Sequence, residues 1–107
     1  MNIAIIGGGA SGLICAISAM HKAKSVGSEC SVTVFEQNSR VGKKLLSTGN
    51  GRCNMLNTDS SPYYFSNNNF HSYAVKKFNA QSNIDFFNSL GLYTKTDSEG
   101  RVYPLSN

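Results

Sequence analysis

The hydrophobic positions near the N-terminus predict a strand, a helix and a second strand. Residues 2–6 form a short run rich in isoleucine that ends at three glycines, which predicts a buried parallel strand. From Ala10 to about Lys24 the apolar residues recur at helical spacing with small residues between them. Residues 31–36 are β-branched and aromatic and predict the second strand. A right-handed crossover would make the two strands parallel neighbours.

The pattern changes after residue 36. Residues 37–69 show no sustained period, which predicts a long loop, either ordered or disordered. Helical spacing then returns in two segments, whose apolar positions are Phe70, Tyr73, Ala74 and Phe78 in the first and Ile84, Phe87 and Leu90 in the second. Their aromatic residues, together with Phe86, are expected in the core and not in a stacking platform for a ligand.

Local signals near the C-terminus predict a helix boundary and a hairpin. Ser82 and Asp85 resemble a capping box that would begin the second helix, and Gly91 would end it. Residues 92–94 and 101–105 flank the turn sequence Asp-Ser-Glu-Gly, which predicts a β-hairpin. The chain is thereby predicted to consist of a strand–helix–strand core (1–36), a loop (37–69), and a segment of helices and a hairpin (70–107).

Composition excludes several classes of protein. A net charge of +4 on 107 residues falls short of a nucleic-acid-binding composition. Cys15, Cys30 and Cys53 have neither CxxC nor Cys/His metal spacing, so we expect no disulfide framework, no metal site and a reducing, cytoplasmic location. The apolar N-terminal stretch lacks a basic flank and is interrupted by glycines, so we expect neither a signal peptide nor a membrane span.

The glycine-rich turn after the first strand is the first candidate site. The segment GGGASG satisfies GxGxxG and lies between a predicted strand and a predicted helix, as in dinucleotide-binding proteins. Gly7 would permit the tight turn, Gly9 the approach of a pyrophosphate, and Gly12 close packing of the helix. The amides of Ala10 and Ser11 would face the phosphate. An ordinary glycine turn is the alternative.

Glu36 ends the second predicted strand. A carboxylate at this place accepts hydrogen bonds from the two ribose hydroxyls of an adenosine and would repel a 2′-phosphate. The pattern therefore disfavours NADP and leaves both FAD and NAD open. A solvated glutamate at a strand end is the alternative.

The loop that follows Glu36 is the second candidate site. Its basic residues lie in a stretch without acidic residues, which favours a segment that faces phosphate over a generally basic surface. A solvated loop is the alternative. The small residues at 47–51 offer exposed amides that can wrap a cofactor closely. Lys44 or Arg52 could neutralise a pyrophosphate. Cys53 has no second cysteine nearby and is expected to be a small loop residue close to the cofactor, without a flavin–disulfide mechanism.

Two strings in this region resemble known flavoproteins. Glu36-x3-Arg40-Val41-Gly42 resembles the continuation of the FAD fingerprint in flavoproteins with two dinucleotide-binding domains. GKKLLSTGNGRCN at 42–54, with the later LGL at 90–92 and EGRVYP at 99–104, resembles the N-terminal part of the BaiN-like, aminoacetone-oxidase-type family of FAD-dependent oxidoreductases. This resemblance extends from Met1 to the last residue.

The resemblance implies an α/β fold, namely a Rossmann-like βαβ unit that forms part of an FAD-binding domain, with residues 37–69 wrapped around the cofactor. The complete protein would carry out flavin redox chemistry on a small-molecule substrate, with NAD(P)H as a candidate reductant. Residues and resemblance together predict cofactor contacts at Gly7, Gly9, Ala10, Ser11, Gly12, Glu36, Gln37, Arg40, Lys44, Thr48, Gly49, Asn50, Gly51, Arg52, Cys53 and Asn54. Substrate-facing catalytic residues are expected outside these 107 residues.

Family members are much longer than this chain, so we expect an N-terminal fragment. Alone it would bind FAD weakly or not at all, would be inactive, and would self-associate through exposed sheet edges. The rival hypothesis is a non-catalytic nucleotide-binding protein or an inactive remnant.

Overall fold

A computed structural model describes residues 1–59 and 71–106. The chain forms two compact units, Met1–Gly51 and Arg52–Asn107, which are called the first and the second unit below.

The first unit begins with the predicted strand, helix and strand. These are β1 (Asn2–Ile6), α1 (Ala10–Ser25) and β2 (Ser31–Phe35). β1 and β2 pair in parallel, with Asn2 opposite Ser31 and Ile6 opposite Phe35. The predicted order of elements and the α/β fold class are therefore confirmed. The remainder of the unit is loop with one short 3-10 helix, Leu45–Ser47.

The prediction that β1 is a buried strand is wrong. Ile5 is buried, but Ile6 is 83% exposed and its neighbour across the sheet, Phe35, is 55% exposed. Side chains alternate between the two faces of a strand, so Ile5 and Ile6 lie on opposite faces. Helix α1 packs on the face that holds Ile5, and within the first unit the other face is uncovered.

The described part of the second unit contains a three-stranded antiparallel sheet and two helices. Its elements are β3 (Leu56–Asn57), α2 (Ser72–Lys77), α3 (Ala80–Ser89), β4 (Thr94–Thr96) and β5 (Arg101–Pro104). The strand order is β3-β5-β4, so β5 lies in the centre. Its residues Val102 and Tyr103 are 0% and 4% exposed and form the core of this unit's described residues.

The hairpin of β4 and β5 confirms the predicted turn, and β3 is an addition. Asp97 and Arg101 face each other across that turn, where the Asp97 amide donates to the Arg101 carbonyl at 3.0 Å. β3 lies within the segment predicted as loop, because a strand of two residues has no detectable period. It forms through pairing with β5, with Leu56 opposite Val102. Residues 60–69 of the predicted loop lie outside the described residues.

The predicted capping box at Ser82 is wrong. Helix α3 begins earlier, at Ala80, and Asn79 caps it by accepting a hydrogen bond from the Ser82 amide at 2.9 Å. The Asp85 carboxylate instead accepts a hydrogen bond from the Gln81 side chain at 2.8 Å. A box would need Asp85 to reach back to an amide, and this i,i+4 pair uses the carboxylate on the helix surface. The predicted end is confirmed, since Gly91 has φ +81° just past the helix.

The aromatic residues of the helices are not all in the core. Tyr73 is 70% exposed and Phe78 is 60% exposed, so the prediction is wrong for both. Helix α2 has six residues, and Lys77 lies 5.7 Å from both ring centroids on its surface. Phe86 and Phe87 are half-buried and meet edge to face, with centroids 5.3 Å apart. Phe70 lies outside the described residues.

Membrane-spanning helices and metal-binding clusters are both absent from the described residues. No helix within 1–59 and 71–106 has the length and apolar character needed to cross a membrane. The same residues contain no group of three or more His, Cys, Asp or Glu placed to hold a metal ion.

Candidate functional site

Gly7 and Gly12 are required by the backbone of the glycine-rich turn. Gly7 has φ +95°, where a side chain is strained, and its amide donates to the Phe35 carbonyl at 2.7 Å. That bond ties the turn to the end of β2. Gly12 lies in the first turns of α1, and a Cβ atom there would collide with the carbonyl oxygen of Gly7. Helix and turn can therefore approach this closely only when Gly12 has no side chain.

Gly9 is under neither constraint. Its φ is −77°, a value open to any residue, and a Cβ atom there would meet nothing within 4 Å. The fold of the described residues would thus accept a side chain at Gly9. The space that this side chain would occupy is open to a ligand, directly beside the N-terminus of α1.

The N-terminus of α1 offers hydrogen-bond donors and a positive partial charge. The amides of Ala10 and Ser11 lie in the first turn, where a helix has no internal acceptors for its N–H groups. Within the described chain, no side chain caps this end and the first turn holds no acidic residue. Lys22 and Lys24 lie in the last turn, where they complement the helix dipole. The open end of α1 is suited to an anion.

Glu36 follows β2 and its carboxylate reaches the glycine-rich turn. Oε2 accepts a hydrogen bond from the Gly8 amide at 2.7 Å. Oε1 accepts two from Asn38, from its backbone amide at 2.8 Å and from its side-chain Nδ2 at 2.7 Å. Hydrogen bonds from the Asn38 amide, the Gly8 amide and the Asn38 side chain hold the pKa of Glu36 below its ordinary value. The carboxylate is therefore ionised at neutral pH and fixed in orientation.

The loop after β2 is fastened to the glycine-rich turn at Gly8. The Gly42 amide donates to the Gly8 carbonyl at 2.7 Å. A Cβ atom on Gly8 would lie 2.5 Å from Cγ1 of Val41 and 3.2 Å from Oε2 of Glu36. Gly42 itself has φ +67°. The sequence analysis assigned no contacts to Gly8, Val41 and Asn38. A signal was present for Val41, which lies in the matched flavoprotein string, but the neighbours of Gly8 depend on the tertiary structure.

The predicted loop residues of the first unit are on its surface. Arg40 and Lys44 are exposed, as is Gln37. The Thr48 hydroxyl donates to the Leu45 carbonyl at 2.9 Å and is therefore used inside the loop. The next three residues all have left-handed backbone, with φ values of 56°, 55° and 80° for Gly49, Asn50 and Gly51. They form a sharp turn, within which the Gly51 amide donates to the Thr48 carbonyl at 3.1 Å.

The last three predicted contacts belong to the second unit. The Arg52 guanidinium lies 4.7 Å from the centroid of the Tyr103 ring, a cation–π arrangement. Cys53 is half-buried and has φ +56°. Asn54 is exposed. The structure thus brings together the predicted residues up to Gly51 in one unit and places Arg52, Cys53 and Asn54 in the other.

The arrangement in the first unit defines a class of protein. A glycine-rich turn, an open helix N-terminus and an ionised carboxylate lie at the carboxyl ends of two adjacent parallel strands. This is the arrangement of the first βαβ unit in dinucleotide-binding proteins, in which the carboxylate faces ribose and the helix N-terminus faces pyrophosphate.

Comparison with known proteins agrees with this class. The family model of the HI0933-like protein Rossmann domain matches residues 1–107, and the chain belongs to this family. The chain is 45% identical to the 3-dehydro-bile acid delta(4,6)-reductase of Clostridium scindens over 108 residues, which cover 99% of this chain and 25% of that protein. The family membership predicted from the 42–54 string is confirmed.

Two further relatives carry a different name. The ribosomal RNA dihydrouridine synthase of Haemophilus influenzae is 39% identical over 67 residues, which cover 63% of this chain and 15% of that protein. The Escherichia coli ribosomal RNA dihydrouridine synthase is 29% identical over 101 residues, covering 92% and 24%. The chain therefore spans a quarter or less of the length of the curated relatives it matches.

Proposed function

We propose that the first unit binds the adenosine diphosphate half of FAD and forms part of a flavin-dependent oxidoreductase. The observation that carries this proposal is the open space over Gly9, a glycine that the fold does not require, next to an uncapped helix N-terminus. The FAD pyrophosphate would lie there, against the amides of Ala10 and Ser11. Gly7 and Gly12 would hold the turn and α1 in place around it.

Glu36 would bind the adenosine ribose. Each carboxylate oxygen can accept more than one hydrogen bond, so the bonds from Gly8 and Asn38 leave acceptor capacity for two hydroxyl groups. An ionised Glu36 would repel the extra phosphate of NADP. The choice of FAD over NAD is supported by the match of the loop after β2 to the FAD fingerprint and by family membership.

Residues 37–69 would wrap the cofactor. In sequence, this segment follows the strand–helix–strand core (1–36) and precedes the helices and hairpin (70–107). Gln37 and Arg40 would contact the cofactor next to Glu36, and Lys44 or Arg52 would neutralise the pyrophosphate. The Thr48 hydroxyl and the amides of Thr48 and Gly51 already donate within the loop. From Thr48 to Asn54 we therefore assign the binding to the remaining backbone groups and to small side chains. Cys53 would lie near the cofactor without forming a disulfide.

When bound, the flavin would accept and donate the electrons of the reaction, and this chain would bind and orient it. We assign a small-molecule substrate to the complete protein and NAD(P)H as its reductant. The support is the 45% identity to a reductase over 99% of this chain, compared with 29% identity over 92% of it for the Escherichia coli ribosomal RNA dihydrouridine synthase. A cytoplasmic location, an inactive isolated chain and self-association through sheet edges stay predictions.

Substitution of Gly9 tests the proposal in the intact protein that carries this sequence. Gly9→Val should abolish flavin retention, because its side chain would fill the space proposed for the pyrophosphate, and should leave the thermal unfolding transition nearly unchanged. Ser18→Val is the matched control, since it introduces the same side chain at an exposed position of α1. A full complement of flavin absorbance in purified Gly9→Val protein would show that the assignment is wrong.

Two further measurements separate the proposal from its rival. Titration of the apoprotein with FAD, NAD and NADP should give tight binding of FAD alone. Anaerobic addition of NAD(P)H should then bleach the flavin absorbance. Binding of a nucleotide without any reduction of bound flavin by NADH or NADPH would instead favour a non-catalytic nucleotide-binding protein.

A further inference from the structure

We propose that Asn38 is a positioning residue that orients the Glu36 carboxylate toward the adenosine ribose. This inference rests on the proposed function, because it concerns how the same site selects its ligand. Asn38 itself need not touch the cofactor, since it acts through Glu36.

The geometry separates the two oxygens of the carboxylate. The Gly8 amide holds Oε2 from the side of the glycine-rich turn. Asn38 holds Oε1 with two donors, the backbone amide at 2.8 Å and Nδ2 at 2.7 Å. The last torsion of a glutamate side chain is broad, so a free carboxylate would sample many orientations. With donors on both oxygens, the plane of the carboxylate is fixed before any ligand binds. Ribose binding then does not include the entropic cost of ordering the carboxylate.

The chemistry of position 38 is specific. A backbone amide is present for any residue except proline, so the particular contribution of Asn38 is the second donor, Nδ2. The assignment of nitrogen to this position follows from the contact, because the amide oxygen would be repelled by an ionised carboxylate. Aspartate has the same shape but cannot donate at neutral pH. A comparison of asparagine with aspartate at position 38 therefore distinguishes a role of the side chain in hydrogen bonding from a role in packing.

The position of the Asn38 side chain does not indicate a role in stabilising the fold. It is exposed, and it follows β2 outside any helix or strand. Its side-chain amide donates to Glu36. A variant at this position should thus change the site while the protein stays folded.

The test measures affinity of the intact apoprotein for two probes, FAD and its analogue that lacks the 2′-hydroxyl of the adenosine ribose. Asn38→Ala removes one charge-assisted donor and should weaken FAD binding about 3- to 10-fold, allowing for the solvent exposure of the bond. Asn38→Asp should weaken it further, because it adds a like charge beside Glu36. Ser39→Asp is the matched control for the charge that Asn38→Asp adds. It places the same charge one residue away without removing a donor, and it should weaken FAD binding less than Asn38→Ala does.

The two probes provide a readout that a purely structural role would not change. If Asn38 acts through the contact of Glu36 with ribose, the loss caused by Asn38→Ala should shrink with the deoxy analogue, so that the two changes are less than additive. Equal losses with both probes would overturn the positioning role. Unchanged FAD affinity in both Asn38 variants would overturn it too, while leaving the FAD proposal standing. Failure of the unsubstituted protein to bind FAD would overturn both.

Discussion

Around the glycine-rich turn of the first unit, glycines lie in close contact with neighbouring atoms, whereas the second unit has buried side chains at the centre of its sheet. Gly12 lies against the Gly7 carbonyl, and Gly8 against Val41, with no room for a Cβ atom at either glycine. In the second unit, Val102 and Tyr103 on the central strand are buried by their neighbours. The first unit therefore depends on the close approach of backbone at a turn, while the second unit depends on a core of buried side chains.

The two units also use carboxylates differently. Glu36 accepts its hydrogen bonds from amides of Gly8 and Asn38 and retains lone pairs for a ligand. Asp97 accepts from the Arg101 and Glu99 amides at 3.0 Å and pairs with the Arg101 guanidinium at 2.8 Å, all within one hairpin. The first carboxylate joins a turn and a loop through amides, whereas the second holds a single hairpin turn through an ion pair and amides.

Gly12→Ala is the change with the largest expected effect. Its Cβ atom would collide with a backbone oxygen, which cannot move aside as a flexible side chain can. We expect a loss of about 3 kcal/mol in the free energy of unfolding of the first unit, the upper range for overpacking. Thermal unfolding and hydrogen exchange of β1 amides measure it.

Gly9→Ala is the control for that prediction, because the added Cβ atom has open space in the same turn. Equal destabilisation by the two alanines would contradict the claim that backbone contact at Gly12 limits the packing.

Val102→Ala examines the other side of the comparison. Removal of two methyl groups from a fully buried side chain should cost the second unit about 2 kcal/mol, from lost burial and the cavity left behind. Val26→Ala is the matched control, since Val26 is exposed after α1 and should change stability little. Protection of β5 amides from hydrogen exchange reports the effect. A Val102→Ala protein as stable as the control would mean that this core does not hold the unit together.

Gly8→Ala should have an intermediate effect that a second substitution repairs. The new Cβ atom would crowd Cγ1 of Val41, and we expect a cost of about 1–2 kcal/mol. Val41→Ala removes the crowding atom, so the double variant should regain about half or more of the loss as a favourable coupling energy. The measurement is a double-mutant cycle on thermal stability. Strictly additive effects would show that the Gly8–Val41 contact does not limit the approach of the loop.

Acid sensitivity of the hairpin is the smallest expected effect. Partial desolvation raises the pKa of Asp97, but hydrogen bonds from Arg101 and Glu99 outweigh it and the net pKa lies below its ordinary value. The stabilisation from Asp97 is thus complete above that ordinary value and is lost as the pH falls through the lowered pKa. Asp97→Asn should weaken the hairpin slightly at neutral pH and remove part of its acid sensitivity, as followed by hydrogen exchange at Tyr103. An unchanged pH profile would argue against the pairing with Arg101.

Local sequence was enough to predict the elements whose cause is local. The β1–α1–β2 order followed from hydrophobic periods and from glycines at the turn, and the β4–β5 hairpin followed from its turn residues. The backbone roles of Gly7 and Gly12 could be predicted for the same reason. Each has a role set by the chain within a few residues or by the simple βαβ connection.

Other features of the fold depend on contacts between residues that are distant in sequence. For these features the sequence-based prediction was either wrong or absent. β3 forms because Leu56 pairs with Val102. A strand of two residues is too short to show a hydrophobic period, so the sequence pattern could not predict it. The exposure of Ile6 and Phe35 reflects how many layers cover the sheet, which residue type alone does not specify. The Gly42 amide on Gly8 joins residues far apart in the chain. Hydrophobic periodicity and turn residues determine which helices and strands form. Contacts between residues distant in sequence are determined only by the tertiary structure, because each contact depends on the positions of both partners.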